Sequence, residues 1–228
     1  MVNYTKSIII PPSLAIEKAK GKNGSYNQPD VLKQLKEDSF NKCYICEQKG
    51  PLSINIEHFK PHHQGKNIDL KFDWNNLFWS CEHCNKTKGA KVIFDNILNC
   101  TNPEHDVLNW ISCKMKLFPK EQVYITAHHT GEAIANTVEL LRQAYNGTTP
   151  QKQMEAENLR DQIYAELKKF HQALDLYYDD LSDEDEKQMA RRIIKKSLKI
   201  QAPFTAFKYW IIKENVKLSQ EFQTFLPI

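Results

Sequence analysis

Two Cys-x-x-Cys pairs punctuate the chain, in KCYICE at 42–47 and in WSCEHCNKTKG at 79–89. Each such turn aims two sulfurs at one point, and four thiolates satisfy the tetrahedral preference of Zn2+. Cys43, Cys46, Cys81 and Cys84 are therefore expected to hold one structural zinc, closed to water because all four positions are filled. Metal binding of this kind supplies folding energy to a segment too short and polar to build its own core. Between the pairs lies INIEHFKPHH at 54–63. A zinc clamp would tie the stretch leading to Glu57-His58 to the stretch carrying Asn85, and so set the distance between a candidate base and a candidate metal ligand. The competing reading of the cysteines is a redox thiol pair, which wants a beta-alpha-beta setting that the pattern lacks. His83, inside CEHC, can replace a cysteine on zinc, but four thiolates make that unnecessary. Cys100 and Cys113 fit neither pair and read as small buried hydrophobes.

The elements that must position these residues are short around the cysteines and long beyond them. Residues 1–40 read as a lead-in, with Pro11-Pro12 breaking an isoleucine run, a short helix over Leu14–Lys20, a loop at Lys22–Asn27 and a helix from Asp30 to about Phe40. Within 41–100, Ser53–Phe59 alternates as a strand, His62–Lys66 turns around Gly65, and a short helix is expected from Asn85. Trp74, Phe78 and Trp79 are expected to form a small core behind this module. The stretch 101–228 is mainly helical after an expected hairpin of Met115–Phe118 with Gln122–Thr126. Helices are expected over Glu132–Tyr145, ended by Asn146-Gly147, and from Pro150 onward, where Met154, Ile163, Leu167, Phe170, Leu174 and Tyr177 keep near 3.5-residue spacing. Ser182 with Asp185 suggests the start of another helix reaching Lys199, and Pro203–Asn215 a final apolar one. Tyr209 and Trp210 on that helix read as packing or interface residues.

With 228 residues and 41% hydrophobic content the chain can bury a sizeable core. A charged fraction of 26% is not that of a disordered chain. No apolar run approaches the roughly 20 residues of a membrane span or the core of a signal peptide, so a cytoplasmic location without membrane contact is expected. Net charge is +3, split as +4 in residues 1–100 and −1 in the rest. The first arginine is Arg142, so the N-terminal half would meet anions through lysine. Lysine holds phosphate as a point charge, whereas arginine is the favoured bidentate reader of guanine, which argues against sequence-specific major-groove readout there.

In order, the motif reads Cys-x2-Cys, Glu-His, Asn-Leu, then Cys-x2-Cys-Asn-x2-Lys. It resembles the HNH nuclease motif in the subset whose beta-beta-alpha metal finger is braced by a four-cysteine zinc. EHFKP, DWNNLFWSC, CNKTKG, ILNCTNPEHDVLNWI and NTVELLRQAYN further resemble the PtuB family of Septu anti-phage systems and some retrons, over roughly residues 30 to 165. Lys86 departs from it, standing where such proteins tend to carry arginine, and an insert after EHF is shorter here. The resemblance implies an α+β, mainly α fold: a small zinc-braced ββα finger at 41–100 followed by a helical region at 101–228 that packs on it. It implies phosphodiester hydrolysis with His58 as general base, a role its near-neutral pKa suits, and with Mg2+ or a similar divalent ion held by Glu57 and Asn85. Asn76, with Asn75 as the competing assignment, would match the middle motif residue that holds the loop orienting the base. Lys88 would hold a neighbouring phosphate; His62 and His63 stand close enough to serve as alternates to His58 or to touch substrate, their other reading being plain surface. The implied partners are DNA or RNA and an ATPase of the PtuA type, with a dimer within a larger complex as a further expectation. The alternative function is a non-catalytic zinc module binding nucleic acid or protein, which needs the cysteines but neither His58 nor Asn85.

Overall fold

The computed structural model describes residues 1–119 and 121–227. Two short helices open the chain, α1 (Pro12–Lys18) and α2 (Pro29–Asp38), each with a proline in the first turn, where its missing N–H costs nothing. Leu14 of α1 and Val31 and Leu35 of α2 pack with Phe72, Trp74, Leu77 and Trp79, so the lead-in closes one side of the cysteine-containing module. Phe78 joins the main core instead. The expected small core of Trp74, Phe78 and Trp79 is thus buried but divided between two clusters. Lys6 is buried here too, donating to the carbonyls of Trp74 and Leu77 with its ammonium over the Trp74 ring.

Strand β1 (Ile54–His58) pairs antiparallel with β2 (Leu77–Cys81), in a register that sets His58 opposite Leu77 and Ile54 opposite Cys81. Between them runs α3 (Ile68–Phe72), capped by Asn67 and absent from the sequence reading. β2 passes directly into α4 (Glu82–Lys88), whose N-cap is Cys81. The helix therefore begins three residues before Asn85, because the cysteine sulfur accepts the Cys84 amide and takes the capping role.

Beyond the finger, α5 (Val107–Trp110) leads into β3 (Ile111–Lys114), which pairs with β4 (Tyr124–Ala127). This corrects the expected hairpin. The first strand lies upstream, over Ile111, Ser112 and Cys113, which are buried against the core, while Leu117 and Phe118 are exposed. Four helices follow: α6 (Glu132–Asn146), α7 (Pro150–Tyr178), α8 (Glu184–Ser197) and α9 (Thr205–Glu214), with a short α10 (Val216–Phe222) at the end. Asp183 with Glu186, not Ser182 with Asp185, forms the capping box of α8. Ile163, Leu167, Phe170 and Leu174 are buried as their spacing predicts, but Met154 is 70% exposed, since it stands about two and a half turns before Ile163 and so on the opposite face of α7. Tyr209 and Trp210 are buried, with the Trp210 indole donating to Leu108 and Ile111 carbonyls. No helix among the described residues is long and apolar enough to cross a membrane.

Candidate active site

The four sulfurs of Cys43, Cys46, Cys81 and Cys84 lie within 4.8 Å of one another, and all four residues are buried. The Cys46 and Cys81 sulfurs stand 3.8 Å apart, which is the edge of a tetrahedron with zinc–sulfur bonds of about 2.3 Å. The first pair sits in a knuckle: the Glu47 amide donates to the Cys43 carbonyl and the Cys43 amide to Gln48, with Glu47 in the left-handed region at φ 61°. The Tyr44 amide donates to the Trp79 carbonyl, which seats the knuckle on β2. The donor set and its burial fit a structural zinc. His83 is no ligand: its two ring nitrogens face Glu155 (2.8 Å) and the Ala144 carbonyl (2.7 Å), anchoring α4 to α7 and α6. Cys100 and Cys113 are buried apart from the cluster, and burial pushes both thiols up, to about 12 and about 11.

Glu57, His58, His62, His63, Asn85 and Lys88 all line one cleft of about 570 Å3. The clamp thus brings the end of β1 and the middle of α4 together. His58 lies with its Nε2 3.1 Å from the Lys71 carbonyl. That carbonyl can only accept, so Nε2 carries the proton and Nδ1 is left with its lone pair. Burial lowers the His58 pKa to about 4, against the carbonyl contact that raises it, so the imidazole is neutral at ordinary pH. The ring packs edge-on against Tyr26 (centroids 4.6 Å) and beside His62 (4.3 Å). Tyr26 was not singled out from the sequence; it comes from the loop between α1 and α2, and only the tertiary fold brings it here.

Asn76 is buried and its amide is fully used: Oδ1 accepts the Lys60 amide (2.7 Å), while Nδ2 donates to the Lys60 carbonyl (2.9 Å) and the Leu70 carbonyl (2.8 Å). It closes the base of the loop between β1 and α3, one residue from the Lys71 carbonyl that fixes His58. Asn75 is exposed, and among the described residues its one hydrogen bond is its backbone amide donating to Asp73 Oδ1 (2.9 Å).

Glu57 is 6% exposed, and Lys88 2%. The Lys88 ammonium donates to Glu57 Oε1 (2.7 Å) and to the His58 carbonyl (3.1 Å). Burial pushes the Glu57 carboxyl up, outweighing the lysine that pulls it down. Lys88, expected to meet a phosphate, is thus committed to the protein's own carboxylate. Oε2 of Glu57 and the side-chain amide of Asn85 have no hydrogen-bond partner among the described residues. Two free oxygen donors on one cleft suit a hard divalent cation that completes its shell with water and phosphate oxygens. His62 accepts the Gly65 amide at Nδ1 (2.7 Å), inside a turn whose residues His63, Gln64 and Gly65 are all left-handed.

Residues 43–91 match the family model described as HNH endonuclease. No curated protein matches the chain. The matched stretch opens at the first zinc cysteine, runs through β1, β2 and α4, and closes just past Gly89, so that this part of the chain is an HNH endonuclease domain with a four-cysteine cluster.

Proposed function

We propose that the chain is a metal-dependent HNH endonuclease in which His58 is the general base for phosphodiester hydrolysis. The observation that carries this reading is the 3.1 Å approach of His58 Nε2 to the Lys71 carbonyl: with Nε2–H spent there, Nδ1 is a neutral, unprotonated acceptor at neutral pH. Nδ1 takes the proton of the attacking water, the water oxygen bonds to phosphorus, and the bond to the leaving sugar oxygen breaks. A divalent ion, when bound at Glu57 and Asn85, supplies the positive charge that the developing oxyanion needs. Asn76 acts as a positioning residue: it holds Lys60 and Leu70 together and so fixes the carbonyl that orients His58. Lys88 orients Glu57, leaving Oε2 for the ion. His62, packed on His58, is the side chain best placed to touch substrate.

The finer reading, that the nuclease works in anti-phage defence with a PtuA-type ATPase as a PtuB-like subunit, as a dimer in a larger complex, is supported by the motif resemblance over residues 30 to 165. It is tested by co-expressing the chain with such an ATPase: a complex that co-purifies supports it, and two separately eluting proteins refute it. The nuclease reading is tested on the purified full chain, alone and with that partner, incubated with Mg2+ and either plasmid DNA or total RNA. Wild type should cleave at least one substrate and His58→Ala should not, at equal zinc content. Equal cleavage by both would remove His58 from the mechanism. No cleavage by either, under any condition, would leave the zinc-module reading in its place.

A further inference from the structure

A second cleft, of about 620 Å3, lies away from the nuclease residues, walled by the middle of α7, the C-terminal half of α8, the 199–203 connection and the first turn of α9. Its cations are Lys49, Arg192, Lys195, Lys196, Lys199 and Lys208, against a single lining carboxylate, Glu166. Arg192, Lys195, Lys196 and Lys199 recur at helical spacing along α8 and just past its end, so that one face of the helix is cationic. Cations at a helix C-terminus are ordinarily explained by the dipole. Lys208 is not explained that way. It sits in the first turns of α9, where the dipole disfavours a cation, and it is 1% exposed. Its ammonium makes no hydrogen bond or ion pair among the described residues, since Glu166 is paired with Lys169 instead. Burial lowers its pKa to about 8, so most of it is charged at neutral pH.

A charged ammonium at the tip of an almost wholly buried side chain, with no hydrogen-bonded or ion-paired partner among the described residues, opens onto a cleft of five further cations and suits an anion. Ala202 and Pro203 and the lysine stems give the walls between the charges an apolar character. The volume falls within the range of small-ligand sites, too large for a lone chloride. The back of the cleft is rigid. Lys49 donates to the Gln201 carbonyl (2.7 Å), Lys42 donates to the Ile200 carbonyl (2.7 Å), and Glu47 accepts the Thr205 amide (2.8 Å). The connection that floors the cleft is thus fastened to the zinc knuckle, and an anion bound there bridges the knuckle to α8.

We propose that this cleft is a phosphate-binding site, with Lys208 at its base, for the phosphates of a nucleotide or of a nucleic-acid strand. The site stands whether or not the chain is a nuclease, because none of its residues belongs to the HNH cleft. Binding is measured by calorimetry on the zinc-loaded full chain at low salt, with sodium pyrophosphate, ATP and a 5′-phosphorylated single-stranded dodecamer as separate probes. Wild type should bind at least one probe. Lys208→Met, which replaces a buried charge with an apolar chain of similar length and should melt no lower than wild type, should weaken that binding at least tenfold. Arg192→Ala with Lys196→Ala, both exposed on α8, should weaken it comparably without loss of zinc. Binding of pyrophosphate or ATP assigns a free nucleotide phosphate as ligand, and binding of the dodecamer alone assigns a strand; either outcome supports the site. Absence of binding by all three probes overturns it, as does binding that is unchanged in both variants.

Discussion

His58 gains its proposed chemistry from two neighbours that contribute no chemistry themselves. The Lys71 carbonyl fixes its tautomer, and the packing of Tyr26 and His62 around it removes the water that would otherwise stabilise an imidazolium. The sign of the resulting pH dependence follows. The active form is the neutral base, and a pKa lowered to about 4 means that protonation sets in only as pH falls through that value. The pH profile of kcat/KM should therefore show no acid limb near the ordinary histidine value of about 6.5, remaining flat from roughly pH 8 down to about 5.5. A limb centred near 6.5 would mean that the proton acceptor is a solvated group. Substitution of His58 by alanine should lower kcat by about 10²–10⁴-fold, the usual worth of a general base. Asn76→Ala removes all three bonds that close the loop and should lower kcat by about tenfold or more through misplacement of His58, with KM little changed. Asn75→Ala should stay within about twofold, because its side chain closes nothing. Reversal of that order would return the middle motif position to Asn75.

At the level of elements, the finger is a pair of strands, β1 and β2, joined through α3, with the four cysteines fastening the knuckle to the end of β2 and the start of α4. β1 and β2 form a two-stranded sheet, which is marginal in water unless something packs on it or staples it. α4 does the first and the cysteine cluster does the second. Purified chain should hold one zinc, and Cys84→Ser or Cys46→Ser should lose it together with the cooperative thermal transition. Retention of both would detach the cysteines from folding. A separate test addresses the corner between α6 and α7. Gly147 has φ 73°, and a Cβ there would stand 2.5 Å from the Gln153 amide nitrogen. Gly147→Ala should destabilise by about 1–3 kcal/mol in chemical denaturation, and an unchanged midpoint would show that the corner can relax. These elements differ in how plainly the amino-acid order marks them. Cysteine spacing, the proline that opens α7 and the glycine that closes α6 are local signals, and each element stands where they point. The β3–β4 pairing was misplaced because its upstream strand is selected by burial of Ile111 and Cys113 against distant helices, not by any pattern of its own. Tyr26 and the Glu57–Lys88 pair were invisible for the same reason: each depends on residues from separate elements meeting in space. Met154 does not share the helical period of Ile163: it lies about two and a half turns upstream, on the opposite face, and it is Ala156 and Leu159 that continue the buried stripe.

Across the whole molecule, the zinc knuckle is bedded on the helical region through one carboxylate. Glu47 accepts the Thr205 and Ala206 amides at the start of α9, and it lies 3.1 Å from the Lys42 ammonium and 3.1 Å from the amino group of Met1. Burial pushes its carboxyl up, but the two cations outweigh this and hold it at about 2, so it is ionised throughout the working range. Lys42 in turn donates to the Ile200 carbonyl, and Tyr145 of α6 reaches the Cys46 carbonyl (3.2 Å). One core continues from Cys43 and Phe78 through Leu141 to Phe207, with no apolar gap between finger and helices. The finger is therefore expected to depend on the helical region for its geometry as well as its stability. Glu47→Gln keeps an acceptor for the α9 amides but strips the buried Lys42 of its counter-charge. Breaking a buried pair in this way typically costs about 3–5 kcal/mol, mostly for the charge left behind. The double variant Lys42→Met with Glu47→Gln removes that stranded charge and should recover part of the loss. Urea denaturation at neutral pH measures both, and nuclease activity should follow stability, since the same carboxylate fastens the knuckle to α9. A double variant no more stable than Glu47→Gln would show that the charge of Lys42 is not what Glu47 is there to balance, and would leave the Met1 amino group as the cation stranded by the loss of the carboxylate.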